Sequence, residues 1–325
     1  MKIFLTGATG YVGSAIAQKL LATGHQVLGL ARSDSAEAKL RQRGIEPHRG
    51  DLSNTQSIEQ GIRKADALIH AAGNQPAVEP GRGVVAATID QNDLSWQNDF
   101  SRMWATERNV VNVILNALEG SGKPFIFTSG SFVVADLANG DASDVVYTEE
   151  MPFVPPSFMA PRVETEEFVR SATKRNIRSI VLRPGMVFGH NGGWQVLHLL
   201  ERAKGLQTVP YIGKGENIWS TVHVDDLADL YSLALEQGSP GSLFNAASAE
   251  VSAKALAEAV SHSTSLGGKT ESWTMEQASE VWGPVVAKIV ATNSRVAGTK
   301  ARQELGWNPH RRTILDDVEH GSYRS

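Results

Sequence analysis

Short apolar runs alternate with amphipathic stretches through the first half of the chain. Five runs have the length and composition of buried strands: 2–6, 26–30, 67–70, 124–128 and 178–182. Stretches with apolar residues at helical spacing lie between them: 11–23, 35–43 and 100–118. Near-continuous apolar strands separated by helices indicate a parallel sheet covered on both faces. The pattern therefore predicts a doubly wound α/β fold.

The second half of the chain is patterned more loosely. Glycine-rich loops alternate with isolated helical stretches, at 194–203, 224–236, 253–262 and 276–281. The prediction is one parallel-sheet domain over residues 1–183. A smaller lobe over residues 184–325 follows, which shares elements with the first domain and carries most of a substrate site.

Composition narrows the class of protein. The chain has 325 residues, 41% hydrophobic and 20% charged, which is ordinary for a globular protein of about two domains. A net charge of -4 gives no basic excess to attract nucleic acid or an anionic membrane. The absence of cysteine excludes disulfides, thiolate nucleophiles and cysteine metal sites. No apolar run reaches the ~18 residues of a membrane helix. We expect a cytoplasmic protein; its oligomeric state stays open, with a homodimer as one alternative.

A glycine-rich turn follows the first predicted strand. It reads Thr6-Gly7-Ala8-Thr9-Gly10-Tyr11-Val12-Gly13 and leads directly into an amphipathic helix. The three glycines let the backbone approach a pyrophosphate, and the N–H groups at the helix start stabilise its charge. Glycine spacing alone is weak support, but the strand-turn-helix context is specific. We therefore predict a Rossmann dinucleotide site at Gly7, Thr9, Gly10, Tyr11, Val12 and Gly13.

The end of the second strand indicates which dinucleotide binds. An NAD site usually has an acid there, whereas this chain has Arg32 and Ser33, which suit the 2′-phosphate of NADP(H). Asp34 is a weaker argument for NAD. Asp51 and Leu52 follow a short third strand, where a carboxylate could accept from the adenine amino group; a helix start is the alternative interpretation of that region.

At these residues the sequence resembles the short-chain dehydrogenase/reductase superfamily in its extended form, which includes nucleotide-sugar epimerases and dihydroflavonol reductases. The resemblance covers nearly the whole chain. It is carried by residues 6–13, 50–52, 70–73, 127–129, 182–189, 222–228 and 305–309. It implies that Ala71, Ala72 and Gly73 pass beside the cofactor. It also implies that Pro184, Gly185, Met186 and Val187 line its nicotinamide end.

The catalytic positions depart from the family pattern. Extended members carry a serine or threonine after the fifth strand and a Tyr-x-x-x-Lys pair in the next helix. Here Gly130 aligns with the hydroxyl residue, Phe158 with the tyrosine and Arg162 with the lysine. Phe158 has no hydroxyl and cannot donate the proton, whereas Arg162 could still hold the nicotinamide ribose. The resemblance is therefore closest to atypical members that keep the cofactor site.

Four residues are candidates to replace the missing acid: Ser129, Ser131, Tyr147 and His190. The serines flank Gly130, and Tyr147 precedes the helix of Arg162. His190 follows the loop that should border the substrate, and histidine titrates in the useful range. For Tyr147 and His190, an ordinary surface or packing role is the alternative. His223, Asp225 and Asp226 are interpreted as structural residues of a helix start, and we predict no metal site.

These observations predict an NADP(H)-dependent oxidoreductase that acts on a small carbonyl or hydroxyl compound, with a nonstandard proton donor. One alternative is an enzyme resembling nucleotide-sugar epimerases and dehydratases. Another is a non-catalytic NADP(H)-binding redox sensor, which the Phe158 and Arg162 replacements favour.

Overall fold

A seven-stranded parallel sheet forms the centre of the molecule. The computed structural model describes residues 1–73, 77–79, 83–85 and 96–324, with side chains for 1–73 and 103–324. The sheet order is β3-β2-β1-β4-β7-β8-β12. Its strands are β1 (Lys2–Thr6), β2 (Gln26–Ala31), β3 (Glu46–Arg49), β4 (Ala67–His70), β7 (Pro124–Thr128), β8 (Arg178–Pro184) and β12 (Ser242–Ala246). The predicted doubly wound fold is confirmed.

Helices cover both faces of this sheet because alternate strand residues point to opposite sides. Ile3 and Leu5 of β1 pack against α1 (Tyr11–Ala22), α7 (Val224–Gln237) and α11 (Thr299–Leu305). Phe4 points the other way, toward α3 (Thr55–Arg63), α4 (Trp96–Leu118) and α5 (Ala160–Ser171). A short α2 (Asp34–Gln42) connects β2 to β3.

The second lobe is built from short elements around its own core. Its helices are α6 (Trp194–Leu206), α8 (Ala253–Ser263), α9 (Met275–Trp282), α10 (Pro284–Val290) and α12 (Ile314–His320). Its strands are β9 (Met186–Phe188), β10 (Val209–Ile212), β11 (Ile218–His223), β13 (Ala249–Ser252) and β14 (Thr270–Trp273). A hairpin of β5 (Ala77–Glu79) and β6 (Gly83–Val85) completes the described strands. Within the described residues, no helix has the length and hydropathy to cross a bilayer.

Three 3₁₀ turns complete the regular elements, at Ser131–Val134, Ser157–Met159 and Ala172–Arg175. The strand β12 comes from the second half of the chain yet pairs with β8 along residues Ser242 to Ala246. The two halves are therefore joined through the central sheet as well as through the chain.

The buried polar residues include one ion pair in the central domain and one histidine in the second lobe. Arg183 at the end of β8 donates from Nε to Oε1 of Glu166 at 2.9 Å, and a second bond joins Nη2 to Oε2. Both side chains are at most 4% exposed. In the second lobe, His198 is buried on α6, and neither of its ring nitrogens bonds to any residue that the structure describes. Burial and the nearby Arg202 charge lower the pKa of His198 to about 4.

Candidate functional site

The glycine-rich turn connects β1 to α1 as predicted. Gly7 has a φ of +78°, and its carbonyl accepts the Gly10 N–H at 2.9 Å. A methyl group on Gly13 would lie 2.0 Å from the Gly7 oxygen, so the third glycine lets α1 pack on the turn. Among the described residues, no side chain caps the start of α1, and its first turn carries no acid. The N–H groups at this helix start could therefore hold an anion.

Gly10 differs from the other two glycines. Its φ of -78° and ψ of 174° are accessible to any residue. A methyl group there would meet only the Gly7 oxygen, at 3.2 Å. The fold itself therefore tolerates a small side chain at Gly10. The flanking Thr9 is exposed, while Tyr11 and Val12 are half-buried. The open side of the turn is where the backbone could approach a ligand.

The end of β4 lies directly beside this turn. A methyl group on Gly7 would lie 2.7 Å from the Ala72 nitrogen, which shows how closely the two segments pass. Ala71 and Ala72 are half-buried, and Gly73 is exposed. The His70 ring bonds to the Thr6 hydroxyl at 2.8 Å, and burial lowers its pKa to about 4. The turn and residues 71–73 are thus brought together.

At the carboxyl ends of β2 and β3, a cleft of about 500 Å³ is lined by Arg32, Arg49 and Asp51 among others. Arg32 is exposed, and the Ser33 hydroxyl caps α2 by accepting the Ala36 N–H at 3.2 Å. Sequence reasoning did not single out Arg49, although its position at a strand end could have done so.

Asp51 and Leu52 follow β3 at the same cleft. Asp51 accepts two bonds from Ser53, at 2.9 Å from the backbone N–H and 2.7 Å from the hydroxyl. These bonds lower the pKa of Asp51 and keep it ionised. Leu52 is half-buried against the core on the α3 side. Asn54 caps α3, so the helix start considered above begins just after the Asp51 turn.

Arg162 lies in the first turn of α5, and its guanidinium reaches the carboxyl end of β7. Nη2 donates to the Thr128 carbonyl at 2.9 Å, and Nε donates to Oγ of Ser129 at 3.4 Å. The guanidinium lies over the ring of Trp104, 4.6 Å from its centre. The Arg162 side chain is only 12% exposed. A fixed positive charge therefore lies at the carboxyl end of β7, an interior strand of the central sheet.

Glu107 of α4 is the counter-ion of Arg162. Its Oε2 lies 3.6 Å from Nη2 of Arg162, and its side chain is 9% exposed. Its other oxygen is buried and has no hydrogen-bond partner among the described residues. Burial raises the pKa of Glu107, although Arg162 opposes that rise. Sequence reasoning missed Glu107, because only the fold shows which side of α4 faces β7.

The two candidate serines have different surroundings. Ser129 is buried and accepts from Arg162. Ser131 is also buried, but its hydroxyl bonds to the Ser294 hydroxyl at 2.8 Å, away from Arg162. Gly130 between them has extended backbone, and the nearest atom to an added methyl group would be the Pro184 oxygen at 3.9 Å. Of the two, only Ser129 is joined to Arg162.

Phe158 and Tyr147 belong to one aromatic cluster beside this edge. The rings of Phe158 and Phe132 are 6.1 Å apart, and Tyr147 lies 6.1 Å from Phe153. Trp104 donates from its indole nitrogen to the Phe158 carbonyl at 2.7 Å. Tyr147 is half-buried, and its backbone pairs with the chain at Val296. Through Trp104, this cluster extends to the Arg162 guanidinium.

The segment after β8 crosses from the central sheet to the second lobe. Pro184 pairs with Ala246 of β12, whereas Met186 and Val187 pair with β11. Gly185 makes this crossing possible, because a methyl group there would lie 2.4 Å from the Ser220 oxygen. Pro184 and Met186 are buried, and Val187 is half-buried. Pro184 is thus the member of this segment that lies beside Gly130, and Met186 and Val187 belong to the sheet of the second lobe.

His190 points to the start of α7. Its Nε2 lies 2.8 Å from Asp225 Oδ1, and its side chain is 62% exposed. Among the described residues, no contact joins it to Arg162 or Ser129. His223 caps α7 through the Asp225 N–H, and Asp226 accepts the N–H groups of residues 310 and 311. His190, His223 and Asp225 place ligand atoms within 4.8 Å of one another, but these contacts already use them within the protein.

Two tyrosines that are far apart in the sequence, Tyr11 and Tyr323, bond to the loop that carries His190. Tyr11 donates to the Gly189 carbonyl at 2.7 Å. Tyr323 accepts the Gly189 N–H at 2.7 Å and donates to the Gly192 carbonyl. Burial raises the pKa of both phenols, so neither ionises near neutral pH. The glycine-rich turn and the segment around Tyr323 are thus connected through one loop.

The fold and this arrangement define a Rossmann-type protein, and the comparisons identify its family. Residues 3–247 match the model of the NAD dependent epimerase/dehydratase family. The chain belongs to that family, whose members bind a nicotinamide dinucleotide. The resemblance to extended, atypical short-chain dehydrogenases/reductases is confirmed.

Relatives extend over most or all of the chain. An uncharacterised protein of Schizosaccharomyces pombe is 29% identical over 99% of this chain and 100% of its own. The 2-alkyl-3-oxoalkanoate reductase of Stenotrophomonas maltophilia is 28% identical over 74% of this chain and 67% of its own. A solved UDP-glucose 4-epimerase of Thermotoga maritima shares the fold, with a TM-score of 0.76 at 20% identity, covering 100% of this chain and 98% of that one.

Proposed function

We propose that this protein is an NADP(H)-dependent oxidoreductase that acts on a small carbonyl or hydroxyl compound. The observation that carries the proposal is Arg162 of α5, whose half-buried guanidinium reaches the end of β7. It stands at the position where the resemblance places the lysine that holds the ribose. The uncapped start of α1 and the open side of Gly10 fit the pyrophosphate of the same cofactor.

The proposed preference for NADP(H) depends on the end of β2. Arg32 offers a guanidinium and Ser33 a hydroxyl where the 2′-position of the adenine ribose would lie. Asp34, the acid that follows Ser33, is paired with Arg49 at 2.5 Å, so its charge is partly neutralised. Asp51, held ionised by Ser53, is proposed to accept from the adenine amino group.

Ser129 is the proposed hydrogen-bond donor to the substrate oxygen. Arginine has donors only, so Ser129 Oγ accepts from Arg162 and its own proton remains to be donated. The adjacent guanidinium also favours the alkoxide form, which makes this serine a better acid than an isolated one. When bound, the nicotinamide supplies or accepts the hydride. In reduction, the carbonyl oxygen takes the Ser129 proton, and water reprotonates Ser129.

The proposed substrate is apolar around its reacting carbonyl. The Trp104 ring lies over the Arg162 guanidinium and belongs to an apolar cluster with Phe132, Tyr147 and Phe158. Apolar groups near the reacting centre favour alkyl or ring groups over charged ones. The relative from Stenotrophomonas maltophilia is named as a reductase of 2-alkyl-3-oxoalkanoates, which agrees with that chemistry.

The two neighbouring serines provide a matched test. NADPH oxidation would be measured across a panel of alkyl 3-oxo acids and simple ketones, with wild type, Ser129→Ala and Ser131→Ala. A lost proton donor typically lowers turnover by about 10²–10⁴-fold. We expect that loss for Ser129→Ala and near-normal turnover for Ser131→Ala, whose partner is Ser294. Equal losses in both folded variants would contradict the role of Ser129.

A redox sensor is the second candidate function. Phe158 stands where the family acid is expected, so cofactor binding without turnover is consistent with this site. Wild type that binds NADPH selectively, yet oxidises it with no compound in the panel, would favour the sensor.

A further inference from the structure

The cleft at the ends of β2 and β3 holds a second cation besides Arg32. Arg49 is the last residue of β3 and pairs in register with Ala31, the last residue of β2. Arg32 therefore begins the connection to α2 immediately beside Arg49, and both side chains line the same cleft. Ligands of doubly wound sheets bind beyond the carboxyl ends of the strands, which is where both guanidinium groups lie.

The present partners of Arg49 are exchangeable. Its Nη1 contacts Asp34 Oδ1 at 2.5 Å and Glu37 Oε1 at 3.3 Å, both in the first turn of α2. The Arg49 side chain is 55% exposed and that of Asp34 is 98% exposed. Exposed pairs of this kind are weak, and a phosphate carries more charge than one carboxylate. Nε and Nη2 of Arg49 make no hydrogen bond with any described residue.

The position of the Arg49 guanidinium matters because Asp34 follows Ser33 directly. A phosphate bound by Arg32 and Ser33 would lie close to the Asp34 carboxylate, which would repel it. Arg49 neutralises that carboxylate in the free protein. Its Nε and Nη2 make no bond with any described residue, and its side chain lines the same cleft as Arg32.

We propose that Arg49 is a second phosphate-binding residue, which joins Arg32 on the 2′-phosphate of NADP(H) and partly releases Asp34 when the phosphate binds. The inference rests on the proposed cofactor and deepens it by naming a residue that determines specificity. In this proposal, the Asp34 carboxylate competes with the 2′-phosphate for the Arg49 guanidinium.

Adenosine 2′,5′-bisphosphate and 5′-AMP differ only by the 2′-phosphate and serve as probes. Calorimetric titration of wild type, Arg49→Ala and Arg32→Ala with both probes isolates that group from the nicotinamide end. We expect wild type to prefer the bisphosphate by at least tenfold. Arg49→Ala should lose about tenfold in bisphosphate affinity and stay within twofold for 5′-AMP.

Arg41→Ala is the matched control, because Arg41 also pairs with Glu37, at 2.7 Å, but does not line the cleft. Its affinities should equal those of wild type. Asp34→Asn should bind the bisphosphate about threefold more tightly than wild type, with 5′-AMP unchanged. Arg49→Lys keeps the charge and should retain part of the preference, and thermal melts check that each variant is folded.

The outcomes separate this inference from the proposed function. A wild-type preference that survives Arg49→Ala unchanged would overturn the role of Arg49 and leave the NADP(H) proposal in place. An equal loss for both probes in Arg49→Ala would also overturn it, because the effect would not concern the 2′-phosphate. If wild type binds the two probes equally, the proposed cofactor preference fails together with the inference.

Discussion

Gly13 and Gly10 belong to one turn, but glycine is needed at the two positions for different physical reasons. Consider Gly13→Ala. Its new methyl group would lie 2.0 Å from the Gly7 oxygen and 2.6 Å from the Gly7 carbonyl carbon. Non-bonded carbon contacts need about 3.5 Å, so α1 and the turn must separate by about 1 Å or more. Overpacking costs about 3 kcal/mol at the upper end, and alanine regains about 1 kcal/mol of helix propensity.

The net loss for Gly13→Ala is therefore about 2 kcal/mol or more. A chain of this length changes its melting temperature by roughly 1.5 °C per kcal/mol, so we expect a drop of about 3 °C or more. Gly10→Ala behaves differently, because its backbone angles are ordinary and its methyl group would be only slightly crowded at 3.2 Å. Its stability should fall by about 1 kcal/mol at most, from the weaker helix cap.

For NADPH binding, in contrast, we expect Gly10→Ala to be the more damaging of the two substitutions. NADPH at 100 times its dissociation constant stabilises wild type by about 2.7 kcal/mol, or roughly 4 °C. Gly10→Ala should lose most of that shift, because its methyl group occupies the open side of the turn. Thermal melts with and without NADPH, together with cofactor fluorescence titrations, measure both quantities. Gly10→Ala that binds NADPH like wild type, or Gly13→Ala that melts like wild type, would refute this account of the turn.

Three further predictions concern other parts of the molecule. Glu166→Gln should lower the free energy of unfolding by about 3–5 kcal/mol, because Arg183 would remain buried and charged without its counter-ion. Urea denaturation measures this free energy, and a loss below about 1 kcal/mol would contradict the stabilising role of the pair. Stability should fall as pH drops from 6.5 toward 4, because His198 keeps a pKa of about 4 when folded and gains its proton on unfolding. His198→Leu should reduce the fall of melting temperature with pH and leave only the part due to His70. An unchanged pH dependence would exclude His198 as a cause. Gly130→Ser combined with Phe158→Tyr restores the two hydroxyl groups of the family pattern, and the serine has room at Gly130. Turnover on a substrate of the wild-type enzyme should rise by about tenfold or more. A folded double variant with unchanged turnover would show that the proton comes from another group.

The central fold was predictable because its signals are local and repeated. The strand at 2–6, the turn with Gly7 and the helix from Tyr11 agree with the structure almost to the residue. Helix starts at Trp194, Val224 and Ala253 were also predicted correctly. Short strands such as β9 and β13 were missed, since three or four residues carry too little periodicity to identify them.

The candidate site was only partly predictable, because its contacts join residues far apart in the chain. Sequence alone singled out Arg162 and Ser129 but could not show that they touch. Glu107 and Arg49 were missed because each looks like an ordinary charged residue until the fold places it beside Arg162 or Arg32. Four proton donors stayed open in the sequence, and the structure distinguishes them by their hydrogen-bond partners.

The bond between Tyr323 and the loop after β9 has a consequence for synthesis on the ribosome. Tyr11 precedes its partner carbonyl at Gly189 by 178 residues. Tyr323, which holds the same loop from the other side, follows Gly189 by a further 134 residues. At roughly 5–20 residues per second, the interval from Tyr11 to Tyr323 is about 15–60 s. During that interval the loop beside the glycine-rich turn lacks the bonds to Tyr323.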